Sequence, residues 1–180
     1  AAIAAENNKK QAELEAQKKA EYTAKFGPVM AAKVKYLNDT KANATETASG
    51  LKYKIIKAGS GKKPVEGNNV YINYAGYLED GSLFDSSIEN VNKEYGKFDE
   101  NRAKQNGYQP FPFPYGKKDG LIPGFIEALN LMNFGDTLLV FIPSKLGYGE
   151  RGAGNVIPPN ANIIFEIEML ETLPPPVAKQ

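Results

Sequence analysis

From Gly50 onward the chain breaks into short β-type runs separated by Gly, Pro and Asp, with room between them for a single short helix. LKYKIIK and VYINYAGYL alternate apolar and polar residues, and TLLVFIP and NIIFEIEML are rich in β-branched and aromatic residues. Asp80-Gly81 marks a hairpin turn and Phe134-Gly135-Asp136 another. Pro123 to Leu129 reads as the helix: Pro123 suits the first turn, and Phe125, Ile126 and Leu129 form its buried face. Antiparallel strands around one helix predict an α+β domain whose sheet curls over that helix.

The first 47 residues have a different texture. AAIAAENNKKQAELEAQKKAEYTAKF is dominated by strong helix formers, and Glu15/Lys19 and Glu21/Lys25 stand in the favourable i,i+4 order. Ile3 and Leu14 alone interrupt the polarity of its first half, so that half is predicted to be solvated or to pack outside the chain. Tyr22, Phe26, Met30, Val34 and Leu37 then recur every three or four residues. This stripe suits docking on the neighbouring domain or a dimerisation surface, and spacing does not choose between them. Gly27-Pro28 predicts a kink or restart, and Asn38 to Ser49 a polar linker. The expected organisation is a helical extension and linker over 1–47, a domain over 48–173 and a Pro-rich tail over 174–180.

Composition narrows the chemistry. The chain has neither cysteine nor histidine, so thiolate nucleophiles, disulfides and the usual near-neutral general base are excluded. A net charge of +1 offers no footprint for nucleic acid, and no run approaches the roughly 18 apolar residues that span a bilayer. Catalysis must rest on carboxylates, hydroxyls, backbone amides or the shape and dryness of a pocket. No metal or cofactor is expected.

YAGYLEDGSLFDSS, LIPGFIEAL and IPSKLGYGERGAGNVIPPNANIIFEIEML follow one another in an order that resembles the FKBP-type peptidyl-prolyl cis/trans isomerases, over about residues 50 to 172. The resemblance implies a twisted antiparallel sheet curled around one short helix, with a pocket between them. It implies catalytic roles for Tyr74, Asp85, Ile122, Tyr148 and Phe165, with the Ile122 amide donating to the substrate carbonyl and the Tyr148 hydroxyl contacting the ligand. Phe84, Phe111, Phe113, Leu121, Phe125, Val156 and Ile157 are implied to bind substrate. Proline-containing polypeptides would be the partners and X–Pro rotation the reaction, with a non-catalytic chaperone or proline-motif binding module as the alternative. The helix-then-domain layout is similar to bacterial envelope isomerases of the macrophage-infectivity-potentiator type. It implies a homodimer through the N-terminal helices and a periplasmic or envelope location, with a cytoplasmic one still open.

Two departures mark this chain. Phe125 stands where most of the family has a tryptophan, which predicts activity with weaker macrolide binding. Ile88 to Pro110 is longer than the family's usual connection, and reads either as a solvated insertion with a short helix or as a flap beside the pocket. A basic partner for Asp85 is expected within it, from Lys93, Arg102 or Lys104.

Overall fold

A computed structural model describes residues 2–173, so the expected Pro-rich tail lies outside the described residues. The chain opens with helix α1 (Ala2–Ala42), followed by strands β1 (Thr45–Glu46), β2 (Lys52–Lys57), β3 (Asn69–Leu78) and β4 (Leu83–Ser86). Two short helices, α2 (Glu89–Glu94) and α3 (Glu100–Lys104), precede β5 (Phe111–Pro114), α4 (Pro123–Asn130), β6 (Thr137–Ile142) and β7 (Ile163–Leu170). The strands form one antiparallel sheet in the order β1-β2-β6-β7-β3-β4, and β5 also pairs with β3.

Alternation along the strands sorts residues onto two faces. Val70 and Ile72 of β3, Leu138, Val140 and Ile142 of β6, and Ile163, Phe165, Ile167 and Met169 of β7 share the inner core. Helix α4 fills the concavity with Phe125, Ala128 and Leu129. It can lie close because a Cβ on Gly124 would fall 2.5 Å from Ile142 Cγ2. Pro123 occupies the first turn, where a missing N–H costs no helical bond.

The outer face carries Ala75, Tyr77, Leu139, Phe141 and Ile164, and α1 lies across it. Leu37 is buried there with Val29 and Met30 against the same cluster, and Lys33 sits 4.6 Å above the Tyr77 ring. The apolar stripe of α1 is therefore used within the chain. Gly81 admits the helix: its φ of 84° suits the turn, and any Cβ would collide with the Met30 carbonyl.

Two expectations about this region are corrected. Helix α1 does not restart at Gly27-Pro28 but continues to Ala42, with Phe26 on one side and Met30 on the other both held against the domain. Tertiary contacts outweigh the missing amide of Pro28. The expected linker over 38–49 is helical to Ala42 and then adds β1 to the sheet edge, with Thr45 opposite Tyr53. Thr47 and Ser49 clasp α4 by donating to Glu127 at 2.8 and 2.6 Å.

Candidate functional site

Tyr74 projects from the inner face of β3 among three aromatic neighbours. Its ring centroid lies 5.7 Å from Phe111, 6.1 Å from Phe165 and 6.5 Å from Phe125, each near edge-on. Phe165 meets Phe84 at 5.3 Å and Phe125 at 5.0 Å, also edge-on. These are the separations at which ring quadrupoles attract. The cluster depends on Gly76, opposite Phe165 in the β3–β7 register, because a Cβ there would overlap both Phe84 and Phe165. The rings bound a pocket of about 400 Å³, which Leu121, Ile122 and Tyr148 also line.

The rim is polar. The Tyr74 hydroxyl donates to Asp85 Oδ2 at 2.5 Å, and Arg102 Nη1 donates to Asp85 Oδ1 at 2.9 Å. Burial, then the Asp85 carboxylate, pushes the Tyr74 phenol far above its ordinary value. Burial and Asp85 also raise Tyr148. For Arg102 burial works downward, but Asp85 and Tyr74 outweigh it and the net shift is upward. All three groups keep their protons near neutral pH.

Among the residues that line this pocket, the Ile122 N–H and the Tyr148 hydroxyl have no protein acceptor among the described residues. Ile122 is the N-cap of α4, and its carbonyl accepts from Phe125 and Ile126 at 3.1 and 3.2 Å. Its own amide precedes the helix and has no intrahelical role. Tyr148 follows the turn over Ser144–Leu146, where the Gly147 and Gly149 amides donate to Ser144 at 3.0 and 2.9 Å.

The residues inserted between β4 and β5 form part of the wall. Asn92 anchors them from within, its buried amide donating to the Ser86 and Ile88 carbonyls at 3.0 and 2.9 Å. Asp99 caps α3 by accepting from the Asn101 and Arg102 amides. Arg102 Nε donates to the Gly107 carbonyl at 3.1 Å, and its guanidinium lies 4.6 Å over the Tyr108 ring. Of the three basic candidates Arg102 is the partner of Asp85, whereas Lys93 pairs with Glu89.

Nine of the twelve residues singled out from sequence line this pocket: Tyr74, Phe84, Asp85, Phe111, Leu121, Ile122, Phe125, Tyr148 and Phe165. Phe113, Val156 and Ile157 lie outside its lining. Phe113 shares the inner face with Phe111 but pairs with Val70, farther along β3 from Tyr74, and is buried in the core. Ile157 bridges back to Ala153 and turns into the core, which leaves Val156 52% exposed. Sequence reasoning missed Ser87, Gly107 and Gln109. Ser87 is the last residue of the quoted YAGYLEDGSLFDSS motif, its Oγ accepting from the Tyr74 amide at 2.9 Å. Nothing but the length of the insertion pointed to Gly107 and Gln109.

A sheet curled over α4, with an aromatic pocket that sets an apolar enclosure beside the Ile122 and Tyr148 donors, defines a protein with a built binding site. Residues 60–170 match the family described as FKBP-type peptidyl-prolyl cis-trans isomerase, and the chain belongs to that family. It is 39% identical over 151 residues to the FKBP-type 22 kDa peptidyl-prolyl cis-trans isomerase of Escherichia coli, covering 83% of this chain and 64% of that protein. It is 38% identical over 133 residues to the outer membrane protein MIP of Legionella longbeachae, covering 74% of this chain and 48% of the relative. The crystal structure of FkpA from Escherichia coli is similar at a TM-score of 0.55 and 28% identity, over 97% of this chain and 73% of that one. The chain thus spans about half to two thirds of the length of these two curated relatives.

Proposed function

We propose that this chain accelerates cis/trans rotation about X–Pro bonds in polypeptides and so assists protein folding. The observation that carries the reading is the pair of unpartnered donors, Ile122 N–H and Tyr148 hydroxyl, beside an aromatic pocket of about 400 Å³. Rotation of a peptide bond faces about 18–20 kcal/mol of amide resonance, and X–Pro exchange unaided takes tens to hundreds of seconds. The planar amide separates charge that water stabilises. Twisting removes most of that separation. An apolar enclosure therefore destabilises the planar form more than the twisted one, without a nucleophile or a titrating base. Phe125, Phe165 and Tyr74 supply the enclosure, and the two donors hold the carbonyl while the prolyl ring turns. Asp85 takes the Tyr74 hydroxyl and the Arg102 guanidinium, fixing the open side of the pocket.

The same pocket takes macrolides, with the smaller Phe125 ring reducing their affinity. Helix α1 leaves residues 2–21 almost wholly exposed, and this half is the surface offered to a second copy in a homodimer. Sedimentation with and without residues 2–21 tests that. A bacterial envelope or periplasmic location rests on the relative named an outer membrane protein, and no helix among the described residues is long and apolar enough to cross a membrane.

The deciding experiment is isomerisation of a short X–Pro peptide by the parent, Asp85→Ala and Tyr148→Phe chains. The expected result is acceleration by the parent and a loss of several-fold or more in each variant. An inactive parent that still prevents aggregation would replace this reading with a non-catalytic chaperone.

A further inference from the structure

The insertion that walls the pocket is also the part of the domain that helix α1 touches at its middle. The Tyr22 hydroxyl donates to the Tyr95 carbonyl at 2.6 Å, a contact spanning 73 residues of sequence. The Phe26 ring lies so close to the next residue that any Cβ on Gly96 would collide with it, and Gly96 holds a φ of 69°. Tyr22 and Phe26 are themselves neighbours, with centroids 4.8 Å apart, and Lys97 Nζ lies 4.9 Å over the Tyr22 ring. Tyr95 is 1% exposed and packs edge-on against Tyr77 at 5.5 Å, so the far side of this contact is fixed to the sheet.

From there the insertion leads to the rim of the pocket through direct contacts. Phe98 stacks on Tyr108 with ring centroids 5.8 Å apart, and the Tyr108 hydroxyl accepts from the Asp99 amide at 2.8 Å. Asp99 caps the helix that carries Arg102, and the Arg102 guanidinium rests on the Tyr108 ring before reaching Asp85. The residues after Gly96 make no strand pairing until Phe111. Tyr95-Gly96 is therefore one of the points that anchor this segment, beside Asn92 at its start and the β5 pairing at its end.

We infer that Tyr22 and Phe26 of helix α1 are positioning residues for the isomerase site: they fix the inserted segment at Tyr95-Gly96 so that Arg102 holds Asp85 at the pocket rim. The extension then belongs functionally to the domain it precedes. Neither residue touches the pocket, and both act through Arg102. The inference rests on the isomerase reading above and adds to it a dependence on residues of the N-terminal extension.

The test uses the full chain and a double-mutant cycle. Phe26→Ala, and separately Tyr22→Phe, which removes one hydroxyl and keeps the ring, are each made in the parent and in an Arg102→Gln background. Isomerisation of an X–Pro peptide gives kcat/KM, and amide exchange of residues 97–109 reports the segment directly. The expected result is a fall of about threefold to tenfold in kcat/KM for Phe26→Ala and a smaller one for Tyr22→Phe. Both losses should vanish in the Arg102→Gln background, with exchange over 97–109 faster in each parent-background variant. An unchanged kcat/KM, or an equal loss in both backgrounds, overturns the inference, since a general loss of stability would not depend on Arg102. If the parent itself is inactive, the isomerase reading fails and exchange alone decides. Faster exchange over 97–109 then supports the positioning role, and unchanged exchange overturns it.

Discussion

Phe125 meets Phe165 edge-on, with ring centroids 5.0 Å apart and an interplanar angle of 84°, and both residues line the pocket. The Phe125 ring is 4% exposed and has no polar atom, so it offers area and no donor. Phe125→Trp enlarges a ring that lines the pocket. Roughly 40 Å² of added apolar contact at about 25 cal/mol per Å² is worth ~1 kcal/mol, or about five- to tenfold in affinity. Calorimetric titration with a macrolide should show that tightening. Equal or weaker binding by the variant would mean that the smaller ring is not what limits affinity.

Gly76 is where the sheet makes room for the aromatic cluster. A methyl group there overlaps the rings of Phe84 and Phe165, both held by other contacts. Gly76→Ala should therefore cost about 1–3 kcal/mol in urea unfolding, and the displaced rings should narrow the pocket and lower kcat/KM. A variant of parental stability and activity would show that the rings relax freely, contrary to the packing described.

Much of this architecture was legible because local signals agreed with one another. The alternation of VYINYAGYL and NIIFEIEML separated the two faces of the sheet, and Pro123 with its following apolar residues marked α4. Nine pocket residues followed from motif order. The rest shares one cause, which is that its positions are set by contacts distant in sequence. Phe113 and Phe111 have the same alternation, and only the register with β3 shows which lies beside Tyr74. Pro28 reads as a break until the domain is seen to hold α1 on both sides of it. Arg102, Lys93 and Lys104 are equivalent in sequence; the Asp99 cap and the Gly107 carbonyl single out Arg102.

Glu127 joins the segment after α1 to the helix that bears the Ile122 amide at its start. Its two oxygens accept from Thr47 and Ser49, both partly buried contacts. Glu127→Ala should lower stability by about 1–2 kcal/mol, while Glu127→Gln should lose less because one acceptor remains. Denaturant midpoints of the two variants check the order. Equal losses would assign the effect to charge rather than to the clasp.

The proposed mechanism has no titrating base, and the phenols at the site are shifted away from neutrality. Burial and the Asp85 carboxylate raise Tyr148, so its hydroxyl remains a donor beyond the ordinary tyrosine value. Burial and the same carboxylate raise Tyr74 further. kcat/KM should stay flat from roughly pH 6 to pH 10, the range between ordinary carboxylate and tyrosine titrations. A break near pH 7 in the peptide assay would contradict the mechanism.

Stability should respond to alkali in the opposite way. Tyr95 is pushed up to about 12, by burial and then by Glu94, and Tyr77 is raised further by burial, Tyr95 and Glu166. In the unfolded chain these phenols ionise near their ordinary value of about 10. Above that pH the unfolded chain has released protons that the folded chain still holds, so unfolding becomes more favourable as pH rises. The contribution is complete below about pH 10 and declines from there through about pH 12. Urea unfolding at a series of pH values across that interval should show parental stability falling more steeply than that of Tyr95→Phe or Tyr77→Phe, which lack one titrating phenol. Parallel slopes for parent and variants would show that burial at the α1–sheet contact does not hold these protons.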